Sequence, residues 1–242
     1  MKHIAIIPAR AGSKSIINKN LKSLSHTNLV DMAVRAALVS KMFDQIILTT
    51  DIETIETEYA SNKAIKLHKR PPELALDDTI MSDVVNNVCI DLTANDKNDS
   101  YLWLLQPTTP FRLKKHFEDI KEIITLGSEA VISVNEMGAY HRDRTYTMKG
   151  PVLYPQRHTN FKNKQDLHKS YIRNGAFYVV KTISFLKNQS FFIPGRKTYG
   201  YIMDDWHSVN IDGPKDLIMA RAIVHAYEEE FSGRGTMESN LT

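Results

Sequence analysis

Short apolar segments alternate along the chain with longer segments whose apolar positions recur with helical spacing. The short segments are rich in β-branched and aromatic residues, which favours strands; they span residues 3–7, 45–50, 101–105, 130–134, 176–180 and 199–203. The longer segments predict helices near residues 29–42, 54–62, 79–92, 113–126 and 214–230. Because strands interleaved with helices form right-handed βαβ units, we predict an α/β fold with a doubly wound, mainly parallel sheet. Such sheets bind ligands beyond the carboxyl ends of their strands.

The alternation stops between residues 136 and 173. This segment contains Gly138, Gly150, Pro151 and Pro155 among many charges, and it has no clear helical periodicity. It is longer than a simple connection between two elements. We therefore predict one domain over residues 1–231, in which residues 136–173 form an excursion such as a hairpin or an arm that grips a second chain. Residues 232–242 are polar, so we expect a flexible C-terminal tail.

Composition narrows the classes of partner. A formal net charge of +3 over 242 residues is too small to indicate nucleic acid or an anionic membrane. The single cysteine, Cys89, excludes an internal disulfide and a cysteine metal cluster. No run approaches the roughly 20 apolar residues of a membrane-spanning helix, and the first apolar stretch is too short for a signal peptide. We expect a cytoplasmic protein that binds neither nucleic acid nor a membrane.

Four cations crowd the loop that follows the first predicted strand. Arg10, Lys14, Lys19 and Lys22 lie among small and amide residues in the segment IIPARAGSKSIINKNLKSL. They would repel one another unless an anion lies between them, and the small residues allow backbone N–H groups to approach that anion. A triphosphate suits the loop, because lysine supplies point charge and arginine supplies forked donors. The alternative is a flexible loop whose lysines face water. The P-loop and the dinucleotide-binding fingerprint are absent.

The same segment, IPARAGSKSIINKNLKSL, resembles the opening motif of the CMP-sialic acid synthetases, the acylneuraminate cytidylyltransferases. Further segments resemble motifs of that family in the same order: ILTTDIETI, KRPPELALDDT, LLQPTTPFR, RNGAFYVVK, FFI and SVNIDGPKDL. Together they span about residues 3–225. The resemblance implies a Rossmann-like nucleotidyltransferase fold. It also implies an enzyme of activated-sugar biosynthesis that transfers CMP from CTP to the anomeric hydroxyl of a nonulosonic acid and releases pyrophosphate.

The resemblance assigns nucleotide-binding roles residue by residue. It implies that the CTP phosphates are held by the first loop, through Arg10, Ser13, Lys14, Lys19 and Asn20. It places Arg70 and, less directly, Ser82 on the cytidine side, and it makes Arg10, Lys19 and Asp212 the catalytic residues. Asp78 could instead be the N-cap of the helix that follows it. No histidine or glutamate stands out as a general base.

The resemblance also implies an acceptor site. Gln106 and Asn174 would contact the sugar, whereas Arg112 is interpreted as mainly structural. Tyr178, Phe191 and Phe192 would form a wall behind the N-acyl group, although aromatic residues in such segments are commonly core residues. Cations for the sugar carboxylate are expected from Lys164 and Arg144, some of them across the interface of a homodimer.

One motif departs from the family pattern at the expected metal site. The family has two carboxylates two positions apart, and such positions share one face of a strand. Here the segment reads SVNID, so Asn210 replaces the first carboxylate and Asp212 supplies the second. The resemblance implies Mg²⁺, with Mn²⁺ as an alternative, held by Asp212 and Asn210. Asp204, Asp205 or Asp51 could supply the missing charge. Two other functions remain open: a cytidylyltransferase for Kdo or an amino-Kdo sugar, and a CTP-binding protein without turnover.

Overall fold

The structure is a computed structural model that describes residues 1–156, 168–195 and 197–232, without the side chains of residues 139 and 228–232. The strands, in chain order, are β1 (Lys2–Ala9), β2 (Ser23–Leu24), β3 (Thr27–Asn28), β4 (Gln45–Thr50), β5 (Lys66–Lys69), β6 (Ser100–Leu104), β7 (Ala130–Glu136), β8 (Tyr146–Lys149), β9 (Val152–Pro155), β10 (Tyr171–Lys181) and β11 (Thr198–Ile202). The helices are α1 (Leu29–Ser40), α2 (Glu53–Tyr59), α3 (Met81–Ile90), α4 (Ala94–Asn98), α5 (Lys114–Thr125), α6 (Thr182–Asn188) and α7 (Pro214–Ser232).

Seven strands form the central sheet in the order β11-β7-β10-β6-β1-β4-β5. Strand β10 is antiparallel to β6 and β7, and the other pairs are parallel. The predicted mainly parallel α/β sheet is therefore confirmed. Because β10 runs against its neighbours, its first residues lie at the edge where β6 and β7 end. That edge is where parallel sheets bind ligands.

Helices cover both faces of the sheet, and β1 shows why. Successive side chains of a strand point to opposite faces. Ala5 and Ile7 are buried in a cluster with residues of α1 and α5. Ile4 and Ile6 are buried in a second cluster with residues of α3 and α6. An almost continuous apolar strand is what a sheet buried on both sides requires.

The helices match the predicted positions with two informative differences. Helix α1 begins where the Asn28 side chain accepts a hydrogen bond from the backbone N–H of Asp31, an N-cap of the usual kind. Helix α3 begins only at Met81, and Ile80 is its N-cap residue, so the prediction that Asp78 caps this helix is wrong. Strands β2, β3 and β5 and helices α4 and α6 were not predicted. The β5 sequence, KLHK, is short and polar because it lies at the edge of the sheet.

The excursion contains a hairpin formed by β8 and β9. Its apolar side chains point to solvent, namely Tyr146, Met148, Val152, Leu153 and Tyr154. The predicted excursion also includes residues 157–167, which lie outside the described residues, as does nearly all of the predicted tail at 232–242. Within the described ranges, no helix has the length and apolar character needed to cross a membrane.

Candidate active site

The loop after β1 is held at the carboxyl edge of the sheet by several contacts. The backbone N–H of Ala11 donates to Asp51 Oδ1 at 2.8 Å, and Asn20 Nδ2 donates to the carbonyl oxygen of Arg10 at 2.9 Å. Ile16 is buried in an apolar cluster together with Ile211 of the segment that precedes α7. These contacts position the cations of the loop and leave Asp51 occupied as an acceptor for the backbone.

A cavity of about 150 Å³, which we call the cationic pocket, opens beside this loop. Its lining includes most of the predicted nucleotide-binding residues, together with Gln106 and Met81: Arg10, Ser13, Lys19, Asn20 and Arg70. The structure therefore brings side chains from the first loop and from the segment after β5 to one place. Lys14 does not line the pocket, and its side chain is 84% exposed.

Arg70 is the most deeply buried cation of the pocket, with 3% of its surface exposed. Its Nη2 donates to the carbonyl oxygen of Thr49 at 3.0 Å, whereas its Nε has no hydrogen-bond partner in the described part of the chain. Burial lowers the pKa of the guanidinium to about 10. A buried N–H group without an acceptor costs about 1–3 kcal/mol, so an anionic or carbonyl ligand at this position would stabilise the site.

Asp77 balances the charge of two first-loop cations. Its Oδ1 lies 2.6 Å from Arg10 Nη2, and its Oδ2 lies 2.9 Å from Lys14 Nζ. Arg10 also donates to the carbonyl oxygen of Ala75 at 3.2 Å. Lys14 and Arg10 hold the pKa of the Asp77 carboxyl below its ordinary value, so the carboxylate remains charged at neutral pH.

Lys19 connects the first loop with the predicted metal residues. Its Nζ donates to the carbonyl oxygen of Ile211 at 3.1 Å and lies 3.8 Å from Asp212 Oδ1. Asn210 Nδ2 donates to Asp212 Oδ2 at 2.7 Å, and Thr109 Oγ1 lies 3.4 Å from Asn210 Oδ1. The two predicted metal residues are therefore adjacent, as their spacing implies.

This donor set fits a Mg²⁺ ion that arrives with a nucleotide. Asp212 is 75% exposed and offers one carboxylate, and Asn210 offers one amide oxygen. Mg²⁺ is commonly held by one or two carboxylates together with substrate phosphates and water. Among the described residues, no three His, Cys, Asp or Glu side chains come together in a way that could hold a metal ion without such help.

The other predicted sources of negative charge have partners elsewhere. Asp204 Oδ1 accepts from the backbone N–H groups of Trp206 and His207, and its Oδ2 lies 2.7 Å from His207 Nδ1. Asp205 Oδ1 accepts a long hydrogen bond of 3.4 Å from Asn135. Helix α7 begins at Pro214, and Asp216 accepts from the backbone N–H groups that precede it. Asp204 and Asp216 thus accept hydrogen bonds from the backbone, whereas Asp205 contacts the Asn135 side chain.

A larger cavity of about 450 Å³, which we call the aromatic cavity, lies next to the cationic pocket. Tyr178, Phe191 and Phe192 line it, and the rings of Tyr178 and Phe191 have centroids 5.8 Å apart. Burial raises the pKa of the Tyr178 hydroxyl. Ser82, predicted on the cytidine side, lines this cavity rather than the cationic pocket. The predicted aromatic wall is thus brought together around one space, with Ser82 at its border.

Gln106 and Met81 line both cavities, so they form the wall that the two spaces share. Arg112 holds Gln106 in place: it is fully buried, and it donates to the carbonyl oxygens of Gln106 at 2.8 Å and Ala176 at 2.9 Å. The absence of a side chain at Gly175 allows the Gln106 side chain to lie close to the backbone of β10, because a Cβ atom at Gly175 would lie 3.0 Å from Gln106 Oε1. Gly175 also has φ +85°. The structural interpretation of Arg112 therefore agrees with its contacts.

Three predicted acceptor residues are placed away from the cavities or outside the described residues. Asn174 is buried, and its side chain accepts from Ser133 at 2.6 Å and from the backbone of Ala176 at 3.1 Å while donating to Ser208 at 2.9 Å. Arg144 is exposed on a short 3₁₀ helix and lines neither cavity. Lys164 lies outside the described residues.

Two charged residues of the site were missed by the sequence interpretation. Asp77 lies one position before Asp78, inside the segment KRPPELALDDT, and only its contact with Arg10 distinguishes the two acids. Arg173 lies one position before Asn174 and lines the aromatic cavity. Strand alternation was a usable signal here, because a buried Asn174 leaves Arg173 on the opposite side of the strand.

The chain is similar to known proteins over most of its length. A family model described as cytidylyltransferase matches residues 4–187. The chain is 32% identical over 236 residues to an N-acylneuraminate cytidylyltransferase of Escherichia coli O18:K1:H7, covering 92% of this chain and 52% of that protein. It is 28% identical to a CMP-N,N'-diacetyllegionaminic acid synthase of Legionella pneumophila, covering 95% and 99%. The chain thus spans about half the length of the N-acylneuraminate cytidylyltransferase and nearly all of the CMP-N,N'-diacetyllegionaminic acid synthase.

Structural comparison extends the likeness to the fold. A solved CMP:2-keto-3-deoxy-manno-octonic acid synthetase, complexed with CTP, has a TM-score of 0.67 at 13% identity and covers 94% of this chain and 100% of its own. A 4-diphosphocytidyl-2C-methyl-D-erythritol synthase has a TM-score of 0.64 at 8% identity, covering 92% and 99%. At these identities the likeness shows the Rossmann-like fold alone. With the family model matching most of its length, the chain belongs to the cytidylyltransferase family.

Proposed function

We propose that this protein transfers CMP from CTP to the anomeric hydroxyl of a nonulosonic, sialic-acid-like sugar acid and releases pyrophosphate. The observation that carries the proposal is the wall formed by Gln106 and Met81 between the cationic pocket and the aromatic cavity. A nucleotide in the first space and a sugar acid in the second would meet there. The relatives named as acting on N-acylneuraminate and on diacetyllegionaminic acid support this class of acceptor.

The lining side chains suit an in-line displacement at the α-phosphorus. Arg10 and Lys19 would offset the negative charge that grows on the leaving pyrophosphate, which is electrostatic stabilisation of the transition state. Gln106 can both donate and accept hydrogen bonds, so it would orient the acceptor hydroxyl for attack. The described residues that line the two cavities include no carboxylate or imidazole. The side chains there therefore supply charge and orientation, and the proton would leave through water.

The proposed metal is Mg²⁺, for which Mn²⁺ could substitute. Asp212 and the amide oxygen of Asn210 would hold it together with phosphate oxygens and water. When bound, such an ion neutralises part of the triphosphate charge. Lys19 lies close enough to Asp212 to keep this group next to the first loop.

The exposed hairpin supports a homodimer. Five apolar side chains on β8 and β9 are solvent-exposed, and exposed apolar patches of this kind commonly mark interfaces. We propose that two chains exchange these arms in a symmetric pair, which would allow cations of one chain to reach the acceptor of the other. Sedimentation that finds a dilute, fully active monomer would overturn this part of the proposal.

The test is pyrophosphate release from CTP with a panel of acceptors and Mg²⁺. The panel contains sialic, legionaminic and pseudaminic acids, Kdo and an amino-Kdo sugar, and UTP or ATP replaces CTP in control reactions. We expect release with CTP and at least one nine-carbon acid. Release with Kdo or amino-Kdo alone would favour the alternative acceptor class, which the fold likeness to the solved synthetase leaves available.

A second candidate, a CTP-binding protein without turnover, is favoured by one observation. Asn210 reduces the charge of the metal site relative to a pair of carboxylates. CTP binding without Mg²⁺- or Mn²⁺-dependent pyrophosphate release on any acid of the panel would favour this candidate over the enzyme.

A further inference from the structure

Arg173 carries the positive charge of the aromatic cavity. The other described residues that line it are apolar, aromatic or uncharged polar. Arg173 is the third residue of β10 and lies at the edge of the sheet where β6 and β7 end. The side chain of Arg173 is exposed, so a ligand that enters the cavity from solvent can reach its guanidinium.

The backbone of β10 explains why this side chain faces the cavity. Arg173 and Tyr178 are five positions apart, and side chains five apart on a regular strand point to opposite faces. The pairing of β10 with β7 shifts register between these two residues, where Gly175 has φ +85°. Between these two pairs β10 advances by five residues and β7 by two, and the three extra residues of β10 reverse the alternation, so Arg173 and Tyr178 come to line the same cavity.

Asn174, the next residue of β10, points to the opposite side of the strand from Arg173. The Asn174 side chain is buried and hydrogen-bonded to Ser133, Ala176 and Ser208. It fixes the backbone that presents Arg173. The positive charge of Arg173 also acts on Tyr178, where it opposes the effect of burial on the pKa of the hydroxyl.

Arg173 has no carboxylate partner within the described ranges. Arg10 and Lys14, in contrast, share the carboxylate of Asp77, and Lys19 lies beside Asp212. A guanidinium that lines a cavity without a partner presents forked donors that match the geometry of a carboxylate. Arg173 is thus the cation of this site that is ready to bind an anionic group of an acceptor.

We propose that Arg173 binds the carboxylate of the acceptor and selects acids over neutral sugars. This inference rests on the proposed function, because that function defines the acceptor as a sugar acid. The carboxylate would pair with Arg173, the anomeric hydroxyl would lie toward Gln106, and the acyl group would contact Tyr178 and Phe191. Arg173 would thereby replace or supplement the cations Arg144 and Lys164 that the sequence suggests.

The test compares Arg173→Met and Arg173→Lys with Arg35→Met, a control in an exposed arginine of α1. A hydrogen bond to a charged group contributes about 1.5–3 kcal/mol, so Arg173→Met should raise the acceptor KM by roughly 10- to 100-fold. Arg173→Lys should recover part of that loss. The KM for CTP should change by less than about twofold in all three variants, which also shows that they fold.

An acceptor whose carboxylate is replaced by a carboxamide isolates the proposed contact. The wild type should use or bind this analogue as poorly as Arg173→Met uses the acid, and Arg173→Met should lose nothing more with the analogue. If Arg173→Met leaves the acceptor KM unchanged, or weakens the acid and the carboxamide equally, the inference is wrong.

Calorimetric titration of the acid into protein saturated with a non-hydrolysable CTP analogue separates this inference from the proposed function. Acid binding that depends on Arg173 but gives no pyrophosphate would retain the inference and overturn the enzyme. Turnover that does not depend on Arg173 would do the reverse. A wild type that binds none of the acids would overturn the inference.

Discussion

The cationic pocket and the aromatic cavity share a wall but balance charge in different ways. In the cationic pocket, Arg10 is already paired with Asp77, and Lys19 is bound to the segment around Asp212. In the aromatic cavity, Arg173 lies without a carboxylate partner in the described part of the chain. Two cations of the first space therefore have carboxylates beside them, whereas the arginine of the second space has none among the described residues.

This difference implies different costs of binding. A triphosphate that contacts Arg10 and Lys14 must first replace the carboxylate of Asp77. The free energy needed to break these ion pairs offsets part of the favourable binding free energy. An acid that binds Arg173 breaks no such pair. The cationic pocket should consequently discriminate against weakly charged ligands, whereas the aromatic cavity should respond to a single carboxylate. The following variants change one side of this comparison at a time.

The largest effect is expected from Arg10→Met. This substitution removes a cation that lines the cationic pocket and leaves Asp77 paired with Lys14 alone. Loss of one group that stabilises transition-state charge costs about 100- to 1000-fold in kcat. We expect a loss of that size in pyrophosphate release, with the acceptor KM little changed. An equal loss from Arg35→Met would show that the effect is not specific to the pocket.

Gly175→Ala should disturb both spaces at their shared wall. The residue has φ +85°, and its new Cβ would lie 3.0 Å from Gln106 Oε1 and 3.1 Å from Thr109 Oγ1. Displacing a positioning group by a fraction of an ångström to 1 Å can cost about 100-fold in rate, so kcat should fall by roughly 10- to 100-fold.

Gly127→Ala is the matched control for this prediction. Gly127 has φ +88°, but no atom lies within 4 Å of the added Cβ. Both variants should lose about 1–2 kcal/mol of stability from backbone strain, measured by chemical denaturation. Only Gly175→Ala should lose activity; equal activities would mean that the contact with Gln106 is unimportant.

Asn210→Asp should strengthen metal binding at the proposed site beside the cationic pocket. A second carboxylate beside Asp212 increases the charge of the proposed metal site, and metal affinity rises with the charge of the ligands. We expect the Mg²⁺ concentration for half-maximal turnover to fall by about 5- to 10-fold, with tighter Mn²⁺ binding in paramagnetic titrations. Asp212→Asn should act in the opposite direction. An unchanged metal dependence in both variants would contradict this assignment.

The smallest effect is expected from Asp77→Asn, which frees the cations from their internal partner. Asp77 is 31% exposed, and exposed ion pairs typically contribute about 0.2–1 kcal/mol. CTP affinity measured by calorimetry should therefore rise by no more than about fivefold. The gain should shrink in high salt, because salt screens exposed charges. Weaker CTP binding would instead show that Asp77 positions Arg10 for the nucleotide.

Much of the fold could be predicted because burial follows from local pattern. The continuous apolar residues of β1 indicated a strand covered on both sides, and the packing of Ile4 and Ala5 on opposite faces agrees. The direction of β10 was not accessible in this way, because an apolar strand has the same composition whether it runs parallel or antiparallel to its neighbours. Strand β5 was missed because an edge strand buries little of its surface.

In the candidate site, too, some features could be predicted from the sequence and others could not. The cations of the first loop and the aromatic residues at 178, 191 and 192 were recognisable from their motifs. The partner of Arg10 was not, since Asp77 and Asp78 are equivalent acids until the fold places one of them 2.6 Å from the guanidinium. Which of Arg173 and Asn174 faces the cavity likewise depended on a change of register within β10.

The sequence by itself determined the class of the fold, the family and the set of charged and aromatic side chains available for chemistry, because these follow from periodicity and from motifs along the chain. Only the tertiary structure decided which of those side chains share a wall, which cations already have a partner, and which one lies beside an aromatic surface with no carboxylate partner among the described residues. The physical reason is that electrostatic pairing and side-chain direction depend on distances between segments remote in sequence, such as Arg10 and Asp77. A local pattern does not contain those distances.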